Sequence, residues 1–214
     1  MKAEHLKRLG HFTVRIDGER ILYFDPFHMK GAPQDGEIIL ISHEHYDHLS
    51  PEDLRKAASR NAWVILPKSC RAAAVKAGLS DMRLLYLSAG EEAEVLGVKI
   101  EAVPAYNVGK PFHMKGKGWL GYIVTMNGLR YWLAGDTDDN EDVRKIRCDV
   151  AVVPVGGTYT MKAKEAAALV NAIRPKAAVP AHYGDIVGTE EDARKFAALL
   201  DPDIACDFAK VRDK

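Results

Sequence analysis

The chain has 214 residues, 47% of them hydrophobic, which suits one domain spanning 1–214 with a substantial buried core. Thirty lysines and arginines balance thirty aspartates and glutamates, so no global field draws in nucleic acid or anionic lipid, and no stable nucleic-acid or membrane partner is expected. The first twenty residues contain no continuous apolar stretch, and no window reaches the roughly 18 apolar residues of a membrane helix, which points to a cytoplasmic protein.

In chain order, HFTVRID (11–17) alternates, Asp17-Gly18 turns and RILYFD (20–25) follows, which predicts a hairpin. EIILIS (37–42) is a short apolar run, as in a strand buried on both faces. Ser50-Pro51-Glu52-Asp53 opens a helix, with serine as cap, proline in the first turn and acids at the positive end of the dipole. Next come a strand at 62–67, a helix over 69–77 that stops at Gly78, and a strand at 83–87. Two strands within 90–106 are joined at Leu96-Gly97, and Asn127-Gly128 links 118–126 to 129–135 as a second hairpin. The last third alternates between helix and strand: helix 140–147, strand 149–155, helix 162–174, strand 176–181, helix 190–200 and strand 203–209. Hairpins early and strand–helix alternation late are satisfied together by two mixed sheets with helices outside.

The stretch ISHEHYDHLS (41–50) packs three histidines and an aspartate into six residues, directly after an apolar strand. Residues two apart in an extended segment point the same way, so His43 and His45 can grip one ion. Asp47 and His48, where the chain turns toward the helix, can aim at a neighbouring point. Nitrogen and oxygen donors of this kind suit zinc, manganese or iron. Four ligands cannot close two sites, and three later residues at strand ends are candidates to help: Asp136 in AGDTDDN, His182 in PAHYG and His113 in the loop YNVGKPFHMKGKGW. An aspartate between two ions can bridge them through its two oxygens. Cys70, Cys148 and Cys206 are far apart, form no CxxC pair and read as free thiols in a reducing compartment rather than as ligands.

These motifs carry a resemblance. SHEHYDHLS resembles the HxHxDH signature of the metallo-β-lactamase-fold hydrolases, and FDP (24–26), AGDTD (134–138) and PAHYG (180–184) resemble their other motifs in the same order. PVGGTYTMKAKEAA (154–167) is similar to the branch that includes ascorbate-6-phosphate lactonases and uncharacterised zinc hydrolases. The resemblance implies an α/β fold, a four-layer αββα sandwich of two mixed sheets with the metal cleft at one sheet edge. It implies a first zinc on His43 and His45, a second on Asp47, His48 and His182, and Asp136 between them. It also implies that Asp25 receives an imidazole N–H and fixes a ligand's tautomer. The catalytic role falls to Asp47 and Asp136, with a metal-bound hydroxide acting on a small ester, lactone or phosphodiester.

The third-motif histidine of the family is missing. Asn107 stands at its place, and His113, the Asn107 amide oxygen or a water are the three ways to complete the first site. Lys110, Lys115 and Lys117 around His113 form either a solvated loop or an attraction for an anionic substrate. Gly156, Gly157 and Thr158 either offer N–H groups to the pocket or lead into a helix capped at Thr160. His11, near the first strand, reads as a strand-surface histidine, with an approach to the site as its alternative, and His5 and His28 read as surface residues. A homo-oligomer is compatible with the sequence. Two rival readings are a di-iron redox protein on the same scaffold and a metal-binding module without catalysis.

Overall fold

Apolar alternation and two fully apolar strands build a pair of sheets. The computed structural model describes residues 5–208. The first sheet runs, in order, β1 (Leu6–Gly10), β2 (Thr13–Ile16), β3 (Leu22–Phe24), β4 (Gly36–Leu40), β5 (Ala58–Pro67) and β6 (Arg83–Leu87). Its first two pairings are antiparallel and the other three parallel. The second sheet contains β7 (Glu92–Val95), β8 (Val98–Pro104), β9 (Leu120–Met126), β10 (Leu129–Leu133), β11 (Val150–Pro154), β12 (Ala177–Ala181) and β13 (Ala205–Cys206), ordered from β13 to β7. Here β7 to β10 pair antiparallel and β10 to β13 parallel.

The sheets pack face to face. Val14, Phe24 and Leu40 of the first share one core cluster with Ile100, Tyr122 and Leu133 of the second. Helices α3 (Ala163–Ile173) and α4 (Glu190–Ala198) add Leu169, Val170 and Phe196 to that cluster, over the outer face of the second sheet. On the other side, Leu54 of α1 (Pro51–Ala57) and Ala74 of α2 (Arg71–Lys76) join Ile39 and Val64 in a second cluster. The layers are therefore αββα, as the sequence led one to expect. No helix among the described residues is long and apolar enough to cross a membrane.

Helix α1 begins as its sequence dictates. Ser50 Oγ accepts from the Asp53 N–H, and Pro51 fills the first turn. The buried Asp53 carboxylate also accepts from the backbone N–H groups of His28 and Met29, at 3.0 and 3.1 Å, and from Lys56 Nζ at 3.0 Å. Burial alone would raise its pKa, but these donors outweigh burial and hold it below the usual carboxylate value. A depressed folded pKa means the stabilisation is complete above the unfolded value of about 4 and disappears as pH falls through the folded one. An Asp53→Ala protein should therefore unfold at lower urea, by about 2 kcal/mol at pH 7, with the difference from wild type shrinking as the pH drops below about 4.

Four local expectations need correction. A strand precedes the first hairpin, because β1 ends at Gly10 and the chain turns at His11 instead of starting a strand there. The helix expected at 140–147 is only a 3-10 turn at Val143–Lys145. Asn140 Oδ1 accepts from the N–H groups of Asp142 and Val143, an alternative to helical bonding that short polar side chains favour. Thr160 does not cap α3; Lys162 takes that place, its N–H bonded to Glu165 Oε2 at 2.8 Å, and the Gly157 N–H is used within the turn by the Met161 carbonyl. The strand expected over 203–209 is reduced to Ala205–Cys206 among the described residues, and position 209 lies outside them. The three cysteines are free, one buried and two half-buried.

Candidate metal centre

Pairing directions bring the C-terminal ends of β1, β3, β4, β8, β10, β11 and β12 to one edge of the sandwich. In α/β sheets that is the edge where ligands bind. The two sheets are tied together there: Leu120 N–H donates to the Ser42 carbonyl at 3.0 Å, and His182 N–H to the His11 carbonyl at 2.8 Å. His11, Asp25 and His182 each directly follow the last residue of a strand, with φ of 27°, 44° and 56°. His113, on the loop after β8, has φ 53°. Left-handed backbone at a non-glycine residue is strained, and such strain gathers at functional sites; here it turns strand ends into the cleft.

Eight side chains converge in two clusters. One holds His43, His45, His113 and Asp136; the other His11, Asp47, His48 and His182. Within each, the atoms able to ligate lie within 4.8 Å of one another. Asp136 faces both. Its Oδ2 lies 3.0 Å from His113 Nε2 and 3.9 Å from His43 Nε2, and its Oδ1 lies 3.3 Å from His182 Nε2 and 3.5 Å from His48 Nε2. These approaches are close but badly aligned for hydrogen bonding. His48 Nε2, His113 Nε2, His182 Nε2 and Asp136 Oδ1 are all buried without a hydrogen-bond partner. Lone pairs that converge on a point and do not pair with each other suit a shared cation, so this donor set fits divalent metal.

Asp25 stands behind the cluster. Its carboxylate accepts from Ser42 N–H at 2.8 Å and Ser42 Oγ at 2.6 Å, and lies 2.7 Å from His48 Nδ1. A proton held on Nδ1 leaves the His48 Nε2 lone pair facing the cleft. Asp25→Asn should weaken retention of the ion on the His48 side by roughly 10- to 100-fold, measured by chelator competition, with less loss at the His43 side.

His113 reaches the cluster, and the Asn107 amide oxygen is buried without a hydrogen-bond partner. The loop closes through Asn107 N–H to the His113 carbonyl at 2.7 Å. The Asn107 amide donates to the Tyr159 carbonyl at 2.6 Å, so it braces His113 from behind. His11 is a correction: it is buried, and its Nε2 lies 3.1 Å from Asp47 Oδ2. The available signal was a histidine straight after the glycine of a strand end. Sequence reasoning also missed Tyr46, Phe112, Tyr159 and Ile186, which with His45, Asp47, His113, Asp136 and His182 line a cavity of about 280 Å³ over the clusters.

Charge is distributed to match. Burial holds His43 well below the usual imidazole pKa, helped by His48, and burial also lowers His45 and His11. Burial, the largest influence, disfavours charge on His48 and His182 too, but the neighbouring carboxylates together outweigh it, Asp136 with Asp25 at His48 and Asp136 with Asp47 at His182, and raise both. Burial acts to protonate Asp136 and Asp47, yet the surrounding imidazoles keep both ionised.

Comparison with known proteins agrees with the fold. Residues 5–182 match the profile of the beta-lactamase superfamily domain. The chain belongs to the beta-lactamase superfamily. A metal-dependent hydrolase of Thermococcus kodakarensis is 30% identical over 91% of both chains. The crystal structure of a candidate metal-dependent hydrolase from Parabacteroides distasonis superposes with a TM-score of 0.78 at 28% identity, over 94% of this chain and 90% of that one. A diiron β-hydroxylase of Streptomyces venezuelae shares the fold, at TM-score 0.69 and 15% identity over 92% of this chain and 47% of its own. A second relative, from Pyrococcus horikoshii, is also named a metal-dependent hydrolase and is 30% identical over 91% of both chains.

Proposed function

We propose that the centre holds two divalent ions, zinc foremost, and that the enzyme hydrolyses a small carboxylic ester, lactone or phosphodiester. The observation that carries this reading is the division of Asp136: one oxygen faces His43 and His113, the other His48 and His182. His43, His45 and His113 would hold one ion, Asp47, His48 and His182 the other, with Asp136 between them. Bound in this way, such ions supply Lewis acidity and lower the pKa of a coordinated water to about 7.

The chain's own residues do the rest. Asp25 keeps the His48 proton at Nδ1 and its lone pair toward the cleft. The His11 Nε2–H donates to Asp47 Oδ2 and fixes that carboxylate at the cavity floor. Asp47 and Asp136, both at the cavity, would accept hydrogen bonds from the attacking water and orient it. The cavity suits a small molecule, just under the usual ~300–1,000 Å³ range.

Anomalous scattering at the zinc, iron and manganese edges of a crystal should count two ions per chain and identify them. Metal-loaded protein should hydrolyse at least one member of a panel of p-nitrophenyl esters, small lactones and bis-p-nitrophenyl phosphate, and a chelator should abolish that turnover. A single ion in fully loaded protein would overturn the dinuclear assignment. Iron with oxygen-dependent chemistry and no hydrolysis would overturn the reaction.

A further inference from the structure

The walls of the cavity differ from its floor. The floor is histidine and aspartate; the rim is Tyr46, Phe112, Tyr159 and Ile186, and no lysine or arginine lines either. These four are exposed by 68%, 42%, 37% and 36%, a cluster of apolar surface beside a buried polar centre. Single exposed apolar residues need no explanation, but a contiguous group at the mouth of a binding cavity does. Phe112 and Tyr159 meet edge to face at 5.1 Å, and Tyr46 lies edge-on to the buried Phe27 at 5.9 Å, so three of the four rim side chains are aromatic and each is held by a ring contact.

The nearby lysines are committed elsewhere. Lys110 bonds Asp138 and the Thr160 carbonyl at 2.5 and 2.7 Å. Lys115 bonds Asp142 at 3.0 Å, and Lys117 lies over the Trp119 ring. None of them is placed to receive an anion in the cavity. Phe112 also adjoins His113, and the Tyr159 carbonyl takes the Asn107 amide that braces His113, so rim and centre are held in one register.

From this arrangement we propose that the substrate is a neutral carboxylic ester or lactone bearing an apolar group, aromatic or branched, which seats against Tyr46, Phe112, Tyr159 and Ile186 while its carbonyl meets the centre. The proposal rests on the hydrolase reading and narrows its substrate class. The reaction is ordinary hydrolysis: the acyl C–O bond breaks, the water oxygen joins the acyl carbon, and the alcohol leaves with a proton, so no further reactant is needed.

The test uses metal-loaded protein and p-nitrophenyl acetate, butyrate, hexanoate and phenylacetate, with p-nitrophenyl hemisuccinate and bis-p-nitrophenyl phosphate as anionic counterparts. kcat/KM should rise roughly 4-fold for each methylene that becomes buried, and the neutral esters should exceed both anions by about tenfold or more. The rise should flatten below about 2-fold per methylene in a Phe112→Ala/Tyr159→Ala protein. As a readout independent of turnover, saturation-transfer NMR should detect 4-phenyl-2-butanone on wild type, and the signal should vanish in the double variant. A flat chain-length profile, or preference for the hemisuccinate or the diester, overturns the substrate class while leaving hydrolysis intact. If no panel member is turned over, hydrolysis of these classes fails as a reading, and the ketone NMR then decides the rim: bound supports an apolar ligand site, unbound overturns it.

Discussion

An Asp136→Ala protein should fold, lose hydrolysis by about 10³-fold or more, and bind at most one ion where the wild type binds two. Asp136 is the one side chain whose two oxygens address both histidine clusters, at 3.0 and 3.9 Å on one side and 3.3 and 3.5 Å on the other. Alanine therefore removes a charge from both sides at once. Each of the other ligand candidates serves one side, so His45→Ala or His182→Ala should cost one ion and leave the other measurable. Asp136→Asn separates charge from shape: it keeps an oxygen in place but cannot offer two charged ones, and should hold metal less tightly than wild type and better than alanine. Elemental analysis of dialysed protein, with far-ultraviolet circular dichroism as the folding control, reads all four variants. Two tightly held ions in the alanine protein would remove Asp136 from the centre.

The parts of this centre that were legible in the sequence are those written locally. His43, His45, Asp47 and His48 sit in six residues after an apolar strand; two-residue spacing pairs His43 with His45, and the turn toward the helix sets Asp47 and His48 apart, the two pairs that the clusters contain. Asp136 and His182 stand at the ends of apolar runs, which places them at strand ends without any knowledge of topology. His113 and Asn107 could not be separated that way. What distinguishes them is loop closure, the Asn107 N–H to His113 carbonyl bond and the Asn107 amide to Tyr159, and that depends on a partner 52 positions away. His11 was misread because HFTVRID alternates well enough to be a strand from its first residue; the turn is set by pairing of β1 with β2, and β1 itself is half charged.

The rim was invisible for a related reason. Tyr46, Phe112, Tyr159 and Ile186 come from four separate loops, and nothing in their local sequence distinguishes an aromatic residue at a cavity mouth from one in a core. The lysine-rich loop shows the opposite failure: its charges stand out in the sequence, yet Asp138 and Asp142 pair with Lys110 and Lys115 once the loop docks. In both cases composition near a ligand is a poor guide, because which side chains face the cavity is decided by contacts between loops.

Gly156→Ala should be the most damaging of the small substitutions, lowering stability by about 3 kcal/mol or more and loosening the metal on the His182 side. A Cβ at this position would stand 2.1 Å from the His182 carbonyl oxygen and 3.1 Å from Val187 Cγ2. The backbone cannot simply retreat. The chain just before it is fixed by the parallel pairing of β11 with β12 and by Val155 N–H donating to the Ala181 carbonyl at 3.0 Å. Across the gap, Gly188 packs so close that its own Cβ would come within 2.5 Å of Gly156 Cα. The element that can yield is His182, already at φ 56°, and its displacement moves Nε2 away from Asp136 Oδ1. Gly116→Ala is the matched control: no atom lies within 4 Å of its Cβ and its φ is not left-handed, so the change should stay within about 0.5 kcal/mol. Urea unfolding of the two proteins measures the difference, and metal analysis shows where it is spent. A Gly156→Ala protein as stable as the Gly116→Ala control, with both ions retained, would mean that His182 is held with slack, and that the close packing beneath it does not set the geometry of the centre.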